Sequence, residues 1–297
     1  MGTNLGVLIA VENETEAERA QTDLVSARAI YVRLEKIFSR FDPASELSLV
    51  NTHLNQSTEV SQEFLSVARK SLDWYETTDG LFDPRIIGTL ESIGYARDFK
   101  LNDFSPVVSE GMPGISGHLK DELQILGEKI MLSARVDFSG IVKGYATDVV
   151  AAFLKQRGWK NFLVDSGGDI YAAGRPPETD KWNISIEGVD EQRLRFALSE
   201  RAIATSGISR RKWEREGRRF HHLIHPAHTD DYSFDLRTAT VVATFTEEAD
   251  VLAKTLFIQN DEDRKRYARE KNIAVTLLYY SGTVWISPKA KEYVEYR

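Results

Sequence analysis

The sequence predicts an α+β fold in which helices pack on one face of a largely antiparallel sheet. Short alternating strands meet at tight glycine turns such as Glu216-Gly217 and Ser281-Gly282, a pattern typical of hairpins. A few long amphipathic helices accompany them, and the second half of the chain lacks the regular strand and helix alternation of a Rossmann arrangement. We therefore expect one domain over residues 1–297, with a smaller subdomain at about 70–125 as an addition to it.

The first third of the chain predicts one strand and two long helices. Leu5–Val11 is a short apolar run, and the apolar residues between positions 24 and 38 recur with the helical period. Ser45 has the position of a helix cap before another short apolar run. Phe64–Thr77 is a second amphipathic helix, and Asp83-Pro84 fixes a tight bend after it.

The middle of the chain begins with a loop and ends with its most densely patterned stretch. Residues 97–119 have no period and contain scattered proline, glycine and serine, which indicates a surface loop. Leu123–Ile130 predicts a strand with a turn at Gly127-Glu128, and a further strand follows. Val136–Gly174 then reads as loop, helix, strand, glycine turn and strand.

Two glycine pairs bracket this last stretch. Gly140 and Gly144 lie at the entrance of the predicted helix, where bare amide groups and the helix dipole suit an anionic ligand. Gly167 and Gly168 allow close backbone approach at a strand end. Neither a G-x-G-x-x-G nor a Walker pattern is present, so a plain structural turn and a phosphate cradle remain equal alternatives.

The C-terminal half predicts mainly strands and one apolar helix. The strands are Trp182–Glu187, Arg201–Thr205 ending in a turn at Ser206-Gly207, a hairpin over 209–224, Thr238–Thr244, Ile273–Tyr279 and Thr283–Ile286. Ala249–Ile258 is the helix, for which Thr246 has the position of a cap.

Composition excludes several classes of protein. The net charge of -7 and the pI near 5.5 argue against a general nucleic-acid binder, which needs a phosphate-neutralising surface. The absence of cysteine excludes disulfides, thiolate zinc sites and thiol nucleophiles. Leu5–Val11 is too short for a signal-peptide core and has no basic residue before it, so we expect a cytoplasmic location.

Four of the six histidines lie within eight residues. They are His221, His222, His225 and His228. A zinc site is one interpretation, although Pro226 prevents a helix through the cluster and a strand would point positions 222 and 225 to opposite faces. The other interpretation is a single histidine that acts as a general base.

Two further groups of residues leave alternatives open. The basic segment at 210–219 predicts either a solvated hairpin or a nucleic-acid hairpin in which Trp213 stacks on bases. Asp83, Asp137, Asp169 and Asp250 each stand at the end of a predicted element or beside apolar residues. Such aspartates either cap turns or bind hydroxyls and metals.

Taken together, several segments resemble successive blocks of the ApbE-type FAD:protein FMN transferases, in the same order over about residues 38–286. The segments are 38–51 (FSRFDPASELSLVN), 79–84 (DGLFDP), 136–148 (VDFSGIVKGYATD), 164–174 (VDSGGDIYAAG), 204–207 (ATSG), 222–226 (HLIHP) and 249–258 (ADVLAKTLFI). The resemblance implies a T-fold-like ApbE architecture and a flavoprotein catalytic domain. It also implies FAD as the substrate, magnesium as the cofactor and an acceptor protein as the partner.

The resemblance also implies roles for individual residues. His222 would be the base that activates a threonine hydroxyl of the acceptor, which takes FMN while AMP is released. The Gly140 carbonyl and the Asp250 carboxylate would be the metal ligands. FAD contacts would come from Leu81, Phe82, Asp83, Asp137, Lys143, Ser206 and Ile224.

The chain also departs from the family pattern at identifiable positions. Lys254 stands where the family has a threonine metal ligand, and Thr255 is rotated about 100 degrees away on a helix. Asp250 and Lys254 share a helix face, so the ammonium is expected against the carboxylate, where it weakens or replaces the metal. His225 replaces the usual aspartate. An FAD pyrophosphatase and a catalytically degenerate flavin-binding protein are therefore the alternative functions.

Overall fold

The computed structural model describes residues 4–106, 115–186, 194–209, 211–230 and 233–295. The predictions made for Glu187, Arg210 and residues 107–114 of the loop at 97–119 lie outside these residues. No helix among the described residues has both the length and the apolar character needed to span a membrane.

The elements are numbered in chain order. The helices are α1 (Glu14–Phe38), α2 (Glu46–Thr52), α3 (Gln62–Thr77), α4 (Ile87–Ser92), α5 (Leu119–Glu122), α6 (Ser139–Gln156), α7 (Thr246–Ile258) and α8 (Asp261–Glu270). The strands are β1 (Leu5–Ile9), β2 (Thr58–Glu59), β3 (Leu123–Leu126), β4 (Lys129–Leu132), β5 (Phe162–Ser166), β6 (Ile170–Ala173), β7 (Trp182–Ser185), β8 (Arg195–Leu198), β9 (Arg201–Gly207), β10 (Lys212–Arg215), β11 (Arg218–His221), β12 (Leu236–Ala243), β13 (Ala274–Tyr279), β14 (Val284–Ile286) and β15 (Val294–Glu295).

The chain divides into two compact units. Among the described residues, unit 1 comprises those within Arg33–Val142 and Ile208–Phe234, and unit 2 comprises those within 4–32, Lys143–Gly207 and 235–295. The division at Val142/Lys143 falls within α6. Whether the chain is one catalytic domain, or carries a subdomain at about 70–125, stays a prediction.

Unit 2 is built on a seven-stranded sheet. Its strand order is β1-β5-β6-β9-β12-β13-β14, and a three-stranded sheet, β15-β8-β7, belongs to the same unit. Every strand pair in both sheets is antiparallel. The prediction of an α+β fold with largely antiparallel sheets is therefore confirmed.

Unit 1 contains two small antiparallel sheets and several helices. The sheets are β2-β4-β3 and the hairpin β10-β11, which turns at Glu216-Gly217 as predicted. The Ser45 hydroxyl accepts a hydrogen bond from Ser48 N and caps α2, so that prediction is confirmed too. Phe99 and Phe104 from the predicted surface loop pack on an aromatic cluster, which shows that this part of the loop is anchored.

Two sequence predictions about unit 2 were wrong, and one helix was not predicted. β9 continues through Ser206 and Gly207, because both residues pair with β12 where a turn was predicted. Thr246 does not cap α7. Helix α8 was missed because its sequence is almost wholly charged, which hides the apolar period on which the prediction depends.

Hydroxyl groups fix α6 against β5 within unit 2. Thr147 donates to Ser166 Oγ at 2.6 Å, and the Tyr31 hydroxyl lies 2.7 Å from the same oxygen. Lys143 precedes Thr147 by one helical turn and therefore lies on the same side of α6. These buried contacts set the direction in which Lys143 points.

Close packing fixes α7 against α6. A Cβ at Gly144 would lie 2.5 Å from Glu247 Cα and 2.7 Å from Thr246 O, so only glycine permits this approach. The Asp148 carboxylate accepts hydrogen bonds from Thr246 N at 2.8 Å and Glu247 N at 2.9 Å. A carboxylate from a neighbouring helix thus caps α7, and Gly144 is a helix packing residue.

Candidate active site

His222 follows β11 in unit 1 and is half-buried. Its Nδ1 lies 3.3 Å from the carbonyl oxygen of Arg211. Since a carbonyl can only accept, Nδ1 carries the proton, and in that tautomer Nε2 holds the lone pair. A histidine in this state has the chemistry of a general base.

The neighbouring histidines have different environments. His221 is buried, its Nε2–H donates to Ser233 O at 3.2 Å, and burial lowers its pKa to about 4. The His225 Nδ1 accepts from Ala227 N at 3.2 Å. Over the described ranges, no group of three or more histidine, aspartate or glutamate side chains is arranged to hold a metal ion. Each of the three histidines thus has a different local partner.

Trp213 belongs to the aromatic core of unit 1. It is 7% exposed, stacks on Phe104 and Phe220, and donates from Nε1 to Ile93 O at 2.9 Å. Ile224 packs in the same cluster. This burial overturns the alternative in which Trp213 stacks on nucleic-acid bases.

Asp83 has both carboxylate oxygens engaged by one arginine. Arg85 Nη2 donates to Oδ2 at 2.6 Å, Nε contacts both oxygens, and Arg85 N donates to Oδ1. The same guanidinium reaches Glu122 at 2.9 Å, and these acidic partners raise the pKa of Arg85 although burial opposes them. Asp83 therefore fixes the loop that contains Leu81 and Phe82. In the same loop, the Phe82 amide donates to Thr78 Oγ1.

Asp137 starts α6 in a comparable way. Its Oδ1 accepts from Ser139 N at 2.8 Å, and Arg40 Nε lies 3.2 Å from Oδ2 in a nearly fully buried ion pair. Arg40 also donates to Tyr95 O at 2.8 Å. The sequence predicted a role for Asp137 but not its partner Arg40, because nothing in its local pattern links position 40 to position 137.

Lys143 and Asp169 form an ion pair in unit 2. The Lys143 ammonium contacts Asp169 Oδ2, and the aspartate is fully buried while the lysine side chain is 21% exposed. Asp169 directly precedes β6, after the two-residue turn at Gly167 and Gly168, both of which have positive φ. The glycine pair therefore makes the tight hairpin turn that presents Asp169.

Asp250 and Lys254 form a second ion pair, on α7. The Lys254 ammonium contacts Asp250 Oδ1, as the four-residue spacing predicted. Thr255 points elsewhere, since its hydroxyl donates to Val251 O at 3.0 Å. Burial and the neighbouring Asp250 carboxylate raise the pKa of Asp169, and the two lysines oppose that shift.

The remaining predicted residues lie in regular elements. Ser206 is buried in β9 opposite Ala239 of β12, and Gly140 is the second residue of α6. Sequence reasoning flagged all four aspartates without dividing them. The structure divides them by partner, because arginines hold Asp83 and Asp137 whereas lysines hold Asp169 and Asp250.

The chain is an α+β protein built on antiparallel sheets. It contains a cluster of lysines and aspartates in unit 2, and a histidine in unit 1 whose Nδ1 faces a carbonyl oxygen. Within that class the chain belongs to the ApbE family, whose family model matches residues 1–277.

Relatives with related sequences extend over most of the chain. An FAD:protein FMN transferase of Haemophilus influenzae is 26% identical over 99% of this chain and 88% of its own length. One of Vibrio cholerae is 29% identical over 81% of this chain and 74% of its own. The similarity is therefore not confined to a single motif.

Solved structures share the fold. The flavinyl transferase ApbE of Pseudomonas stutzeri superposes with a TM-score of 0.81 at 22% identity, covering 99% of this chain and 94% of that one. The apbe protein of Thermotoga maritima gives a TM-score of 0.82 at 23% identity, with 98% and 96% covered. At these identities the structures establish a common fold.

Proposed function

We propose that this chain transfers FMN from FAD to a threonine hydroxyl of an acceptor protein and releases AMP. The observation that carries the proposal is the ApbE family match over residues 1–277, together with relatives named FAD:protein FMN transferase. The geometry of His222 supports it, since the reaction needs a base for a hydroxyl nucleophile. FAD and a protein acceptor are therefore the proposed partners, and the cytoplasmic location remains a prediction.

The proposed reaction is a single displacement at phosphorus. The acceptor hydroxyl oxygen forms a bond to the phosphorus of the FMN moiety, and the bond from that phosphorus to the bridging oxygen breaks. AMP leaves with the bridging oxygen, and the hydroxyl proton passes to His222 Nε2. Charge builds on the pyrophosphate during this step, so positive groups near it lower the barrier.

The proposed FAD contacts fall into two kinds. Asp83 and Asp137 support the site through the loops they hold, because their carboxylates are paired with arginines. Leu81, Phe82, Ser206 and Ile224 remain predicted contacts, and of these Phe82, Ser206 and Ile224 are buried by the protein itself. Lys143 is the proposed pyrophosphate contact, because its side chain is partly exposed and an ammonium has three donors, of which one contacts Asp169.

Magnesium ligation by Gly140 and Asp250 remains a prediction that the local chemistry does not favour. Lys254 contacts Asp250 Oδ1, and position 254 offers no hydroxyl oxygen as a ligand. The carboxylate and the carbonyl are oxygen ligands of the kind that a hard divalent cation prefers, but the Lys254 ammonium has no lone pair to coordinate it and repels it. We therefore derive no step through a metal.

The test is incubation of the purified protein with FAD and a panel of candidate acceptor proteins. Covalent flavin is detected by fluorescence after denaturing electrophoresis, and the modified residue by peptide mass spectrometry. Threonine-linked FMN with release of AMP is the expected result. Free FMN and AMP with no labelled acceptor would identify a pyrophosphatase, and FAD binding without products would identify a binding protein.

The role of His222 is tested in the same assay. His222→Ala should lower the single-turnover rate of transfer by about 10²- to 10⁴-fold, the usual contribution of a general base, and leave FAD affinity unchanged. His228→Ala is the matched control, because His228 belongs to the same histidine-rich segment and is exposed. Equal effects of the two variants would remove His222 from the mechanism.

A further inference from the structure

The lysine and aspartate cluster of unit 2 is electrically balanced by its own side chains. Asp169 and Asp250 are 0% and 1% exposed, and each is paired with one lysine, Lys143 and Lys254. Gly144, next to Lys143, packs on the backbone of Glu247, about one helical turn before Asp250, so the two pairs lie close together. The charges of Asp250 and of both lysines accordingly act on Asp169. Two carboxylates and two ammoniums leave no net charge for a further cation to neutralise.

Each carboxylate in the cluster nevertheless keeps one oxygen without a hydrogen bond. Among the described residues, Asp169 Oδ1 and Asp250 Oδ2 are buried side-chain atoms that lack such a partner. An ammonium is a compact point charge that contacts one oxygen and does not clamp both. The carboxylates are therefore neutralised without being saturated.

Both lysines reach the edge of the buried cluster. Their side chains are each 21% exposed, whereas the carboxylates they contact are almost fully enclosed. An ammonium has three N–H donors, so one can point to the carboxylate while another meets an anion arriving from solvent. The ammonium groups thus lie at the solvent side of the cluster, and the carboxylates lie in its interior.

A divalent cation at Asp250 would have to overcome this arrangement. A cation bound to the carboxylate would lie close to the Lys254 ammonium, and two unit charges about 4 Å apart repel by about 4 kcal/mol at an effective dielectric constant of about 20. A divalent ion doubles that repulsion. The ammonium must therefore leave the carboxylate before a metal binds there.

We propose that the Lys254 ammonium takes the place of a divalent cation at Asp250, so that this chain binds the FAD pyrophosphate with Lys143 and Lys254 and needs no metal. This proposal rests on the proposed function for the identity of the ligand. The part that concerns metal binding stands apart from it, because it can be measured without flavin.

The first experiment measures Mn²⁺ binding to the flavin-free protein by electron paramagnetic resonance. The wild-type protein should bind no stoichiometric Mn²⁺, whereas Lys254→Thr should bind one ion that magnesium displaces. Lys265→Thr is the matched control, because Lys265 also pairs with an aspartate four residues earlier, Asp261, on an exposed helix. It should bind no ion.

Wild-type binding of one Mn²⁺ per chain that is lost in Asp250→Asn would overturn the proposal. A folded Lys254→Thr variant that binds no Mn²⁺ would overturn it as well. Lys254→Ser provides a second hydroxyl variant in case the first does not fold, and the wild-type measurement is informative alone.

The second experiment titrates FAD with and without magnesium, following flavin fluorescence. For the wild-type protein, excess chelator should leave the FAD dissociation constant unchanged. Lys254→Thr in chelator should bind FAD about 10- to 100-fold more weakly, the loss expected for one charge-assisted contact, and magnesium should restore its affinity. Magnesium-dependent binding by the wild-type protein would contradict the proposal. Absence of flavin transfer alongside the expected metal results would refute the proposed function alone.

Discussion

Two buried ion pairs, one in each unit, differ in how the cation meets the carboxylate. In unit 1, Arg85 meets Asp83 through Nε and Nη2 and extends to Glu122, Ser116 O and Gly117 O. In unit 2, Lys254 contacts a single carboxylate oxygen of Asp250, together with its backbone oxygen, and leaves the other carboxylate oxygen without a hydrogen bond. Both aspartates are nearly inaccessible to solvent, so burial does not explain the difference.

The difference lies in the chemistry of the cation. The Arg85 guanidinium presents several donors in a fixed plane and hydrogen-bonds both oxygens of Asp83, whereas the Lys254 ammonium leaves Asp250 Oδ2 without a hydrogen bond. Asp137 Oδ2 beside Arg40 also lacks a hydrogen bond, so a guanidinium saturates a carboxylate only where it meets both oxygens. The pair of Arg85 and Asp83 thus stabilises the structure of unit 1. The lysine pair can exchange one partner for another, which suits a group that must meet a ligand.

The first prediction concerns removal of the guanidinium from unit 1. Arg85→Ala should lower the free energy of unfolding by about 3–5 kcal/mol, because Asp83 stays buried without a cation and keeps only the backbone N–H of residue 85. Urea denaturation followed by circular dichroism measures the change.

Arg175→Ala is the control for Arg85→Ala. Arg175 pairs with Asp180 where the two side chains are 67% and 98% exposed, so its loss should cost no more than about 1 kcal/mol. If Arg85→Ala lowered the free energy of unfolding by no more than this control, the pair of Arg85 and Asp83 would not stabilise unit 1.

The second prediction separates the units by pH. Burial lowers the pKa of His221 in unit 1 from 6.5 to about 4, so the unfolded chain takes up the proton first and stability is lost as pH falls through that range. Burial raises the pKa of Asp148 in unit 2 from 3.8 to about 6, so stability is lost as pH rises through that range. Each effect amounts to at most about 3 kcal/mol.

Hydrogen exchange at about pH 7 and about pH 5, corrected for intrinsic rates, tests these opposite signs. On acidification, the amides of β10 and β11 should lose protection and those at the start of α7 should gain it. His221→Gln should abolish the first change, because glutamine can still donate to Ser233 O but does not titrate. Shifts of the same sign in both units would contradict the assignment.

Local patterns predicted the elements of the fold better than its contacts. The helical period predicted α1 and α3, and hydrogen-bonding residue types predicted the Ser45 cap and the turn at Glu216-Gly217. Asp250 and Lys254 could be paired from the sequence because both lie on one helix. Each of these features is decided by neighbours within a few residues.

Contacts between distant segments could not be predicted in the same way. Asp148 caps α7 from 98 and 99 residues away, and Arg40 meets Asp137 without any local signal. Gly144 was interpreted as part of a possible anion site, yet the backbone of Glu247 decides its identity. A single sequence does not show which distant residues contact each other. These contacts become visible only when the sheets and helices are assembled.

The third prediction concerns the position of the lysine pair and has the smallest expected effect. Gly144→Ala should lower the free energy of unfolding by about 1–3 kcal/mol, because the new Cβ would lie 2.5 Å from Glu247 Cα and must displace the backbone at the start of α7. The substitution also gains about 1 kcal/mol of helix propensity, which hides part of the cost. The measured change is therefore a lower limit for the packing cost.

Ala152→Gly on the exposed side of α6 measures the propensity contribution alone, and it should cost about 1 kcal/mol. Asp148 accepts from Thr246 N and Glu247 N, so displacement of α7 should also weaken this cap and raise amide exchange there. Protection of β10 and β11 in unit 1 should stay constant. If Gly144→Ala left the free energy of unfolding unchanged or raised it, α7 could move away from α6 without loss of stability. The direction of Asp250 and Lys254 would then not depend on the contact between α7 and α6.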